Sequence, residues 1–280
     1  MATPRVFIVR HGETEWSLNG RHTGSTDIPL TANGEKRVKA TGKALIGPDR
    51  LIVPKQLVHV WLQFIFTILC IDCKAEALVL GFIAYQFPEL RCRYVSPRKR
   101  AQRTLELLNL GFDEPFPWNA HGARDGDGLQ CSARIEVTED IREWDYGDYE
   151  GITTPRIKEM RKEQGLDPAW DIWKDGCPGG ESPEDINERL DRLIKDIRSK
   201  WHSPVMGNNK REDAGQQHGD VLVVAHGHIL RAFAQRWAGQ SLKDGPTFLL
   251  EAGGVGTMSY EHHNIEEPAI LLGGAFMVDL

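Results

Sequence analysis

The chain has 280 residues and a formal net charge of −6, with acidic and basic residues interspersed. This length can bury one substantial core, so we expect a single domain over residues 1–280. The mixed charge gives no reason to expect binding to nucleic acid or to an anionic membrane. Residues 1–4 lack the apolar core of a secretion signal, which predicts a protein of the cytoplasm, with the nucleus as an additional compartment. The five scattered cysteines do not have the density of a disulfide framework.

A strand-to-helix junction near the start of the chain carries the first candidate site. Residues 6–9 form a short apolar run rich in β-branched side chains, which predicts a buried strand, and Arg10-His11-Gly12 follows at once. In α/β sheets, ligands bind at the carboxyl ends of strands, where helix N-termini attract anions. The forked guanidinium of Arg10 suits phosphate, and His11 is then a candidate nucleophile. The alternative is a surface turn with a solvated histidine.

Three helices are predicted from their N-cap residues, which are Thr31, Ser96 and Ser182. The first should run to about residue 46, and the other two carry proline at the first helical position. The basic side chains that follow Ser96 offer a phosphate clamp. Of these, we expect Arg98 and Lys99 to be solvated.

Strands alternate with these helices. The strongest strand signal is residues 220–225. His226-Gly227 follows directly at the end of this strand, as His11-Gly12 follows the first strand. Shorter strands are predicted at residues 93–95, 135–137 and 268–272. Residues 247–250 and 255–260 predict a hairpin at the sheet edge. Strand-then-helix units favour a mostly parallel sheet covered by helices on both faces.

The segment before residue 96 does not fit this pattern. Residues 57–71 are almost wholly apolar and residues 77–85 nearly so. The first run is shorter than the roughly 17–25 residues that a membrane helix needs. The whole connection is also too long and too apolar for an ordinary loop. A core helix, a membrane hairpin and a non-native insertion all remain open.

Short motifs spread across nearly the whole chain resemble those of the histidine phosphatase (phosphoglycerate mutase-like) superfamily, in that family's order. They are Arg10-His11-Gly12-Glu13-Thr14, Thr23-Gly24, Leu30-Thr31, Ser96-Pro97 with Arg100-Ala101 and Thr104, Glu143 with Tyr146-Gly147, and Ala225-His226-Gly227. Residues 142–151, 170–176 and 249–268 are also similar to a narrower branch, the fungal sedoheptulose-1,7-bisphosphatases. The resemblance implies a three-layer α/β/α sandwich whose central sheet is mostly parallel with an antiparallel edge.

The resemblance also implies a mechanism. His11 would attack phosphorus to form a phosphohistidine, and Glu143 would protonate the leaving oxygen and later take a proton from water. Arg10, Arg100 and His226 would bind the transferred phosphate and stabilise its charge. Neither a metal nor another cofactor is expected, because the arginines supply the positive charge.

A further set of residues is implied to contact substrate. It consists of Ser17, Thr23, Gly24, Tyr146 and Gly227. At the position of Ser17 the mutase branch commonly has asparagine, so this departure favours a phosphatase over a mutase. His262 and His263 match the narrower branch, and we expect them to be structural.

The function expected from the resemblance is metal-independent hydrolysis of a sugar bisphosphate, with sedoheptulose 1,7-bisphosphate as the leading substrate. The alternatives are a phosphoglycerate mutase, a broad-specificity phosphatase, and a catalytically silent binding module with the same fold. The expected partner is a small sugar phosphate, with no nucleic acid. Residues from about 58 to 92 are absent from the family pattern and are expected to be an insertion, such as a translated intron. A membrane contact is expected only if that insertion is native and exposed.

Overall fold

The computed structural model describes residues 3–63, 98–112, 115–118, 128–206 and 219–272. Within these ranges the strands form one sheet of six strands in the order β3-β2-β4-β1-β5-β6. The strands are β1 (Val6–Arg10), β2 (Leu57–Gln63), β3 (Arg134–Thr138), β4 (Asp220–Ala225), β5 (Val255–Tyr260) and β6 (Pro268–Leu271). The pairs β1–β4, β2–β4 and β2–β3 are parallel, whereas β1–β5 and β5–β6 are antiparallel. A mostly parallel sheet with an antiparallel edge is therefore confirmed.

Helices cover both faces of this sheet. They are α1 (Glu15–Asn19), α2 (Ala32–Leu45), α3 (Lys99–Leu108), α4 (Thr154–Glu163), α5 (Ile172–Asp175), α6 (Pro183–Ile197), α7 (Ser203–Met206) and α8 (Gly227–Trp237). Short 3₁₀ helices lie at Pro54–Gln56, Glu139–Ile141, Gly147–Tyr149 and Glu261–His263, and a π-helical turn, Arg198–His202, joins α6 to α7.

The continuous apolar runs of the central strands follow from burial on both faces. In β1, Val6 and Ile8 pack in the cluster that contains the buried faces of α6 and α8. Phe7 and Val9 pack in the opposite cluster, with α2 and α3. Because successive side chains of a strand point to opposite faces, a strand covered on both sides must be apolar at every position. The resulting three layers confirm the predicted sandwich.

Two of the predicted N-caps are present. Thr31 accepts a hydrogen bond from the backbone N–H of Gly34 and begins α2. Ser182 accepts one from Asp185, whose side chain accepts the N–H of Ser182 in return, so a capping box begins α6. The third predicted cap, Ser96, and the strand predicted at residues 93–95 lie outside the described residues.

The predicted edge hairpin is wrong in one strand. Residues 247–250 form no strand, and β5 pairs with β6 in their place. The carbonyl of Leu250 accepts a hydrogen bond from Nη1 of Arg10 at 2.7 Å. This backbone group is therefore bound to an arginine of the site and not to a neighbouring strand.

The sheet position beside β4 is filled by β2, which begins at the start of the apolar segment. Residues 59–63 of β2 pair in parallel with β3, and residues 57–62 pair in parallel with β4. The remainder of the proposed insertion at about 58–92 lies outside the described residues, so its status stays a prediction. Among the helices that the structure describes, none is long and apolar enough to cross a membrane.

Candidate active site

The register of β1 against β4 brings the two predicted histidines together. Arg10 is paired with Ala225 at the carboxyl ends of the two parallel strands, so His11 and His226 are the next residues of each. The N–H of His11 donates to the carbonyl of Ala225 at 2.9 Å, and the two imidazole ring centroids lie 4.9 Å apart. Two residues more than two hundred positions apart therefore face one another because their strands are adjacent and in register.

The ring of His11 is oriented by its own backbone segment. Its Nδ1 lies 2.7 Å from the carbonyl oxygen of Gly12, which can only accept, so Nδ1 carries the proton. Nε2 of the neutral ring then keeps its lone pair. Burial, together with the positive charges of Arg100 and Arg10, lowers the pKa of His11 well below its ordinary value. His11 is thus a neutral imidazole at physiological pH, which is the form that can attack phosphorus.

Arg100 is fully buried and oriented by three acceptors. Its Nε donates to Nδ1 of His226 at 3.0 Å, while Nη1 and Nη2 donate to the carbonyls of Thr26 and Thr23 at 2.8 and 3.2 Å. Burial lowers the pKa of Arg100 to about 10, so the side chain remains charged at neutral pH. It is a fixed cation beside both histidines.

Arg10 is a second cation near the same two histidines. It is half-buried, and its Nη1 is bound to the carbonyl of Leu250. A Cβ added to Gly227 would lie only 3.3 Å from the guanidinium carbon of Arg10. Glycine at this position therefore lets the guanidinium lie against the first turn of α8.

Glu143 is buried at the N-terminus of α8, the helix that starts directly after His226. Its carboxylate accepts the backbone N–H groups of His228 at 3.1 Å, Ile229 at 2.9 Å and Trp144 at 3.0 Å. A helix N-terminus favours an anion at this place. The acid predicted to serve the leaving group is therefore fixed to the same helix end as the predicted phosphate ligand His226.

The residues predicted to contact substrate lie around this centre in different settings. Thr23 and Gly24 lie in the loop that binds Arg100, and Tyr146 bonds through its hydroxyl to Nδ1 of His228 at 2.8 Å. The hydroxyl of Ser17 is bonded to Thr14 in the capping box of α1. Their substrate contacts, like that of Gly227, stay predictions.

Arg98 corrects one expectation. It was expected to be solvated, but only 4% of it is exposed, whereas its neighbour Lys99 is exposed as predicted. The charged form of Arg98 is stabilised by the negative charges of four acidic residues, which are Glu150, Glu143, Asp27 and Glu139. Their negative charge makes burial of this guanidinium possible beside the already buried Arg100.

Several residues near the site were not among the site residues predicted from the sequence. His22, His228, Trp173 and Arg231 form an aromatic and basic wall beside Tyr146. Burial lowers the pKa of His22 to about 4, and burial with Arg231 nearby lowers that of His228 as well, so both are neutral. The signal that could have identified Arg231 is its position: a cation close to a helix N-terminus opposes the helix dipole.

Arg231 borders a cavity of about 210 Å³. Its Nε donates to the carbonyl of Gly227 at 3.3 Å and its guanidinium lies 5.1 Å from the ring of Trp173. Lys174 and Lys243 contribute further positive charge at the cavity, and buried Gln235 contributes a polar wall. The cavity lining therefore carries three basic side chains and one carboxylate, that of Asp171.

One group among the described residues has the spacing of metal ligands. It consists of Glu261, His262 and Glu267, all exposed. Nδ1 of His262 donates to a carboxylate oxygen of Glu267 across 2.7 Å, and it lies in the turn before β6. This group does not include any residue of the histidine pair.

Comparison with known proteins gives the family. The model of the histidine phosphatase superfamily (branch 1) matches residues 6–52 and 127–269. The sedoheptulose 1,7-bisphosphatase of Saccharomyces cerevisiae is 34% identical over 98% of this chain and 94% of its own length. An acid phosphatase of Mycobacterium tuberculosis is 29% identical over 95% of this chain and 91% of its own.

Solved structures agree with the fold. The product of open reading frame Rv3214 of M. tuberculosis has a TM-score of 0.58 and 25% identity, with 97% of both chains covered. A phosphoglycerate mutase of Bacillus anthracis has a TM-score of 0.57 and 17% identity, with 96% of this chain and 92% of that one covered, and shares the fold. With both the family model and the yeast relative matching most of its length, this chain belongs to the histidine phosphatase superfamily.

Proposed function

We propose that this phosphatase hydrolyses a sugar bisphosphate, with sedoheptulose 1,7-bisphosphate as the leading substrate. The observation that carries the proposal is a pair of guanidinium groups that both lie close to Gly227. Arg10 packs against this glycine near the two histidines, and Arg231 donates to its carbonyl from the side of the cavity. A substrate with two phosphates, one for each arginine, matches this arrangement.

The first phosphate would be cleaved in two steps. Nε2 of His11 attacks phosphorus and forms an N–P bond while the bond between phosphorus and the sugar oxygen breaks. Glu143 takes up a proton when the negatively charged phosphate binds beside it, and it then gives this proton to the leaving oxygen. In the second step Glu143 takes a proton from water, the water oxygen attacks phosphorus, and the N–P bond breaks with its electron pair returning to Nε2 of His11, which releases inorganic phosphate.

Arg10, Arg100 and His226 would stabilise the transferring group. Arg100 accounts for one of these donors, and its hydrogen bond to Nδ1 leaves His226 with its proton on Nε2, the other ring nitrogen. Preorganised donors of this kind commonly supply most of the stabilisation in phosphoryl transfer. None of them has to move or change charge before substrate binds.

The second phosphate would bind Arg231. Burial lowers the pKa of this arginine, so an anionic ligand beside it would stabilise its charged form. Trp173 covers one face of the guanidinium, and Lys174 also lines the cavity, as does Lys243, which is paired with Glu184 at 2.9 Å. The identity to a yeast sedoheptulose 1,7-bisphosphatase supports the same substrate class.

The test compares Arg231→Met with wild type on sedoheptulose 1,7-bisphosphate and on sedoheptulose 1-phosphate. Loss of one charged hydrogen-bond donor should lower kcat/KM for the bisphosphate by roughly 10–100-fold and leave the monophosphate within about threefold. Arg236→Met is the matched control, since Arg236 lies on the same helix and is paired with Asp191 instead.

Equal effects of Arg231→Met on both substrates would contradict the bisphosphate proposal. The mutase alternative is tested in parallel by following interconversion of 3-phosphoglycerate and 2-phosphoglycerate. Turnover that depends on a bisphosphoglycerate primer and exceeds sugar phosphate hydrolysis would favour that alternative. A silent binding module would leave no acid-labile phosphate on His11 with any sugar phosphate.

A further inference from the structure

A buried arginine on α6 donates hydrogen bonds to the segment that carries Glu143. Arg189 is 4% exposed and forms a bidentate pair with Glu181, with Nε and Nη2 at 2.8 and 2.9 Å from the two carboxylate oxygens. Its Nη1 donates to the carbonyls of Asp140 at 3.0 Å and Arg142 at 2.9 Å. Its Nη2 also approaches the carbonyl of Glu143 itself, at 3.5 Å.

Glu181 holds the other flank of the same segment. One carboxylate oxygen accepts the N–H of Asp145 at 2.9 Å, and the other accepts Nη2 of Arg142 at 2.8 Å. The backbone carbonyl of Glu181 accepts the indole N–H of Trp144 at 2.9 Å. Residues immediately before and after Glu143 are therefore bound to one ion pair.

The energetics of burial indicate that this pair does more than stabilise the fold. Taking a guanidinium and a carboxylate out of water is costly, and apolar side chains of similar volume would fill the same space at least as well. What an apolar pair could not do is bind the backbone carbonyls and N–H groups from residue 140 to residue 145. The hydrogen bonds of the pair converge on one loop, and that loop carries the acid of the site.

We propose that Arg189, fixed by Glu181, is a positioning residue for Glu143. It sets the backbone from which Glu143 reaches the N-terminus of α8, and so it sets the distance between the carboxyl group and the oxygen that leaves the sugar. Misplacement of a reacting group by about 1 Å can cost about 10²-fold in rate. The inference rests on the proposed role of Glu143 as the general acid.

The test uses two substrates that differ in their need for an acid. A sugar phosphate leaves as an alkoxide that must be protonated, whereas p-nitrophenyl phosphate leaves as a stable phenolate without help. The parameter kcat/KM reports the steps up to formation of the phosphohistidine, so it isolates the step in which Glu143 gives its proton. In Arg189→Met and Arg189→Lys we expect kcat/KM for the sugar phosphate to fall by roughly 10–100-fold and that for p-nitrophenyl phosphate by less than about threefold.

Glu143→Gln provides the reference pattern. It should show the same selective loss, and the double variant with Arg189→Lys should lose little more than Glu143→Gln alone, because both changes remove one interaction. Arg192→Met on the same helix is the matched control, since Arg192 is mostly exposed and is paired with the side chain of Asp140. That variant should not distinguish the two substrates.

Folding of each variant is checked by thermal unfolding before the assay. Arg189→Lys keeps the positive charge, so it keeps the test available if Arg189→Met does not fold. Equal losses on both substrates would show a merely structural role and overturn the inference while the role of Glu143 stands. If Glu143→Gln itself does not distinguish the substrates, the general-acid role fails and the positioning role fails with it.

Discussion

Nε of Arg100 donates a hydrogen bond to Nδ1 of His226 across 3.0 Å, and both residues are fully buried. A guanidinium can only donate, so Nδ1 must be the unprotonated nitrogen of His226. The neutral ring then carries its proton on Nε2. This one contact therefore holds the guanidinium of Arg100 in place and sets the tautomer of His226. It also makes Nε2–H of His226 a second donor at the place where phosphate is expected to bind.

The first prediction concerns this cation. Arg100→Lys should lower kcat/KM by roughly 10²–10³-fold, because an ammonium cannot bind His226, Thr23 and Thr26 through one planar fork. The loss should appear with p-nitrophenyl phosphate as well as with sugar phosphates, since the transferring phosphoryl group is common to both. Arg103→Lys on the next turn of α3 is the control, because Arg103 is paired with Glu35 and is partly exposed. Activity of Arg100→Lys within threefold of wild type would contradict the assigned role.

The second prediction concerns the protonation states of the two histidines. Burial and the nearby arginines lower the pKa of both His11 and His226 well below the ordinary value. Nitrogen-15 spectra of histidine-labelled protein should show both rings neutral from pH 7.5 down to pH 5.5. His11 should be the tautomer protonated on Nδ1 and His226 the one protonated on Nε2. Exposed His262, whose pKa is raised by Glu267, should titrate in the same spectra as an internal reference. Protonation of His11 within this range would remove the basis for its nucleophilic role.

The sequence predicts that His11 and His226 lie close together, because the signal for each position is contained in the few residues before it. Each histidine follows an apolar strand, and the carboxyl ends of parallel neighbours lie at one edge of a sheet. The register then places the two residues side by side. By contrast, the burial of Arg98 was not predicted, because the surrounding carboxylates come from distant parts of the chain.

The supporting contacts of the site could not be predicted from periodicity or motif. Glu150 binds the loop at Gly24 and Thr26, and Arg189 binds the loop at Glu143, through backbone groups that any residue type offers. Such contacts depend on how two loops pack after the sheet has formed. The wrongly predicted strand at residues 247–250 has a similar origin, since Arg10 and not a strand binds the carbonyl of Leu250.

The third prediction tests the loop that holds Arg100. The carboxylate of Glu150 accepts the N–H groups of Gly24 at 2.7 Å and Thr26 at 2.8 Å, while the carbonyls of Thr23 and Thr26 accept from Arg100. Glu150→Gln replaces one acceptor with a donor and leaves one N–H without a partner. Such a loss costs about 1–3 kcal/mol, and we expect kcat/KM to fall about tenfold or more on every phosphate ester.

Two comparisons make that measurement decisive. Glu159→Gln on α4 removes a carboxylate that is paired only at the surface, with Arg156, and should leave kcat/KM unchanged. Glu150→Gln should affect sugar phosphates and p-nitrophenyl phosphate equally, unlike the variants of Arg189. A loss confined to sugar phosphates would show that Glu150 acts through the leaving group and not through Arg100.

The fourth prediction concerns stability in acid. His202 is fully buried, contacts the hydroxyl of Tyr260 through Nδ1 at 2.7 Å, and has its pKa lowered to about 3 by burial and by Arg198. In the unfolded chain its pKa is about 6.5, so below that pH the unfolded state binds a proton that the folded state does not. The neutral ring therefore contributes stability that is lost as the pH falls from about 6.5 toward 3. The loss amounts to about 2 kcal/mol at pH 5.

Urea unfolding at pH 7.5 and pH 5 measures this term. In wild type the free energy of unfolding should be lower at pH 5 than at pH 7.5. In His202→Gln this difference between the two pH values should be smaller by about 2 kcal/mol, even if the variant is less stable at both. His262→Gln provides a control of opposite sign, because Glu267 raises the pKa of His262 and its protonated form favours the folded state. Removal of the His262–Glu267 pair should leave the decrease in the free energy of unfolding from pH 7.5 to pH 5 unchanged or slightly larger. If His202→Gln and wild type lose the same free energy between the two pH values, His202 takes up its proton in the folded protein and its burial does not keep it neutral.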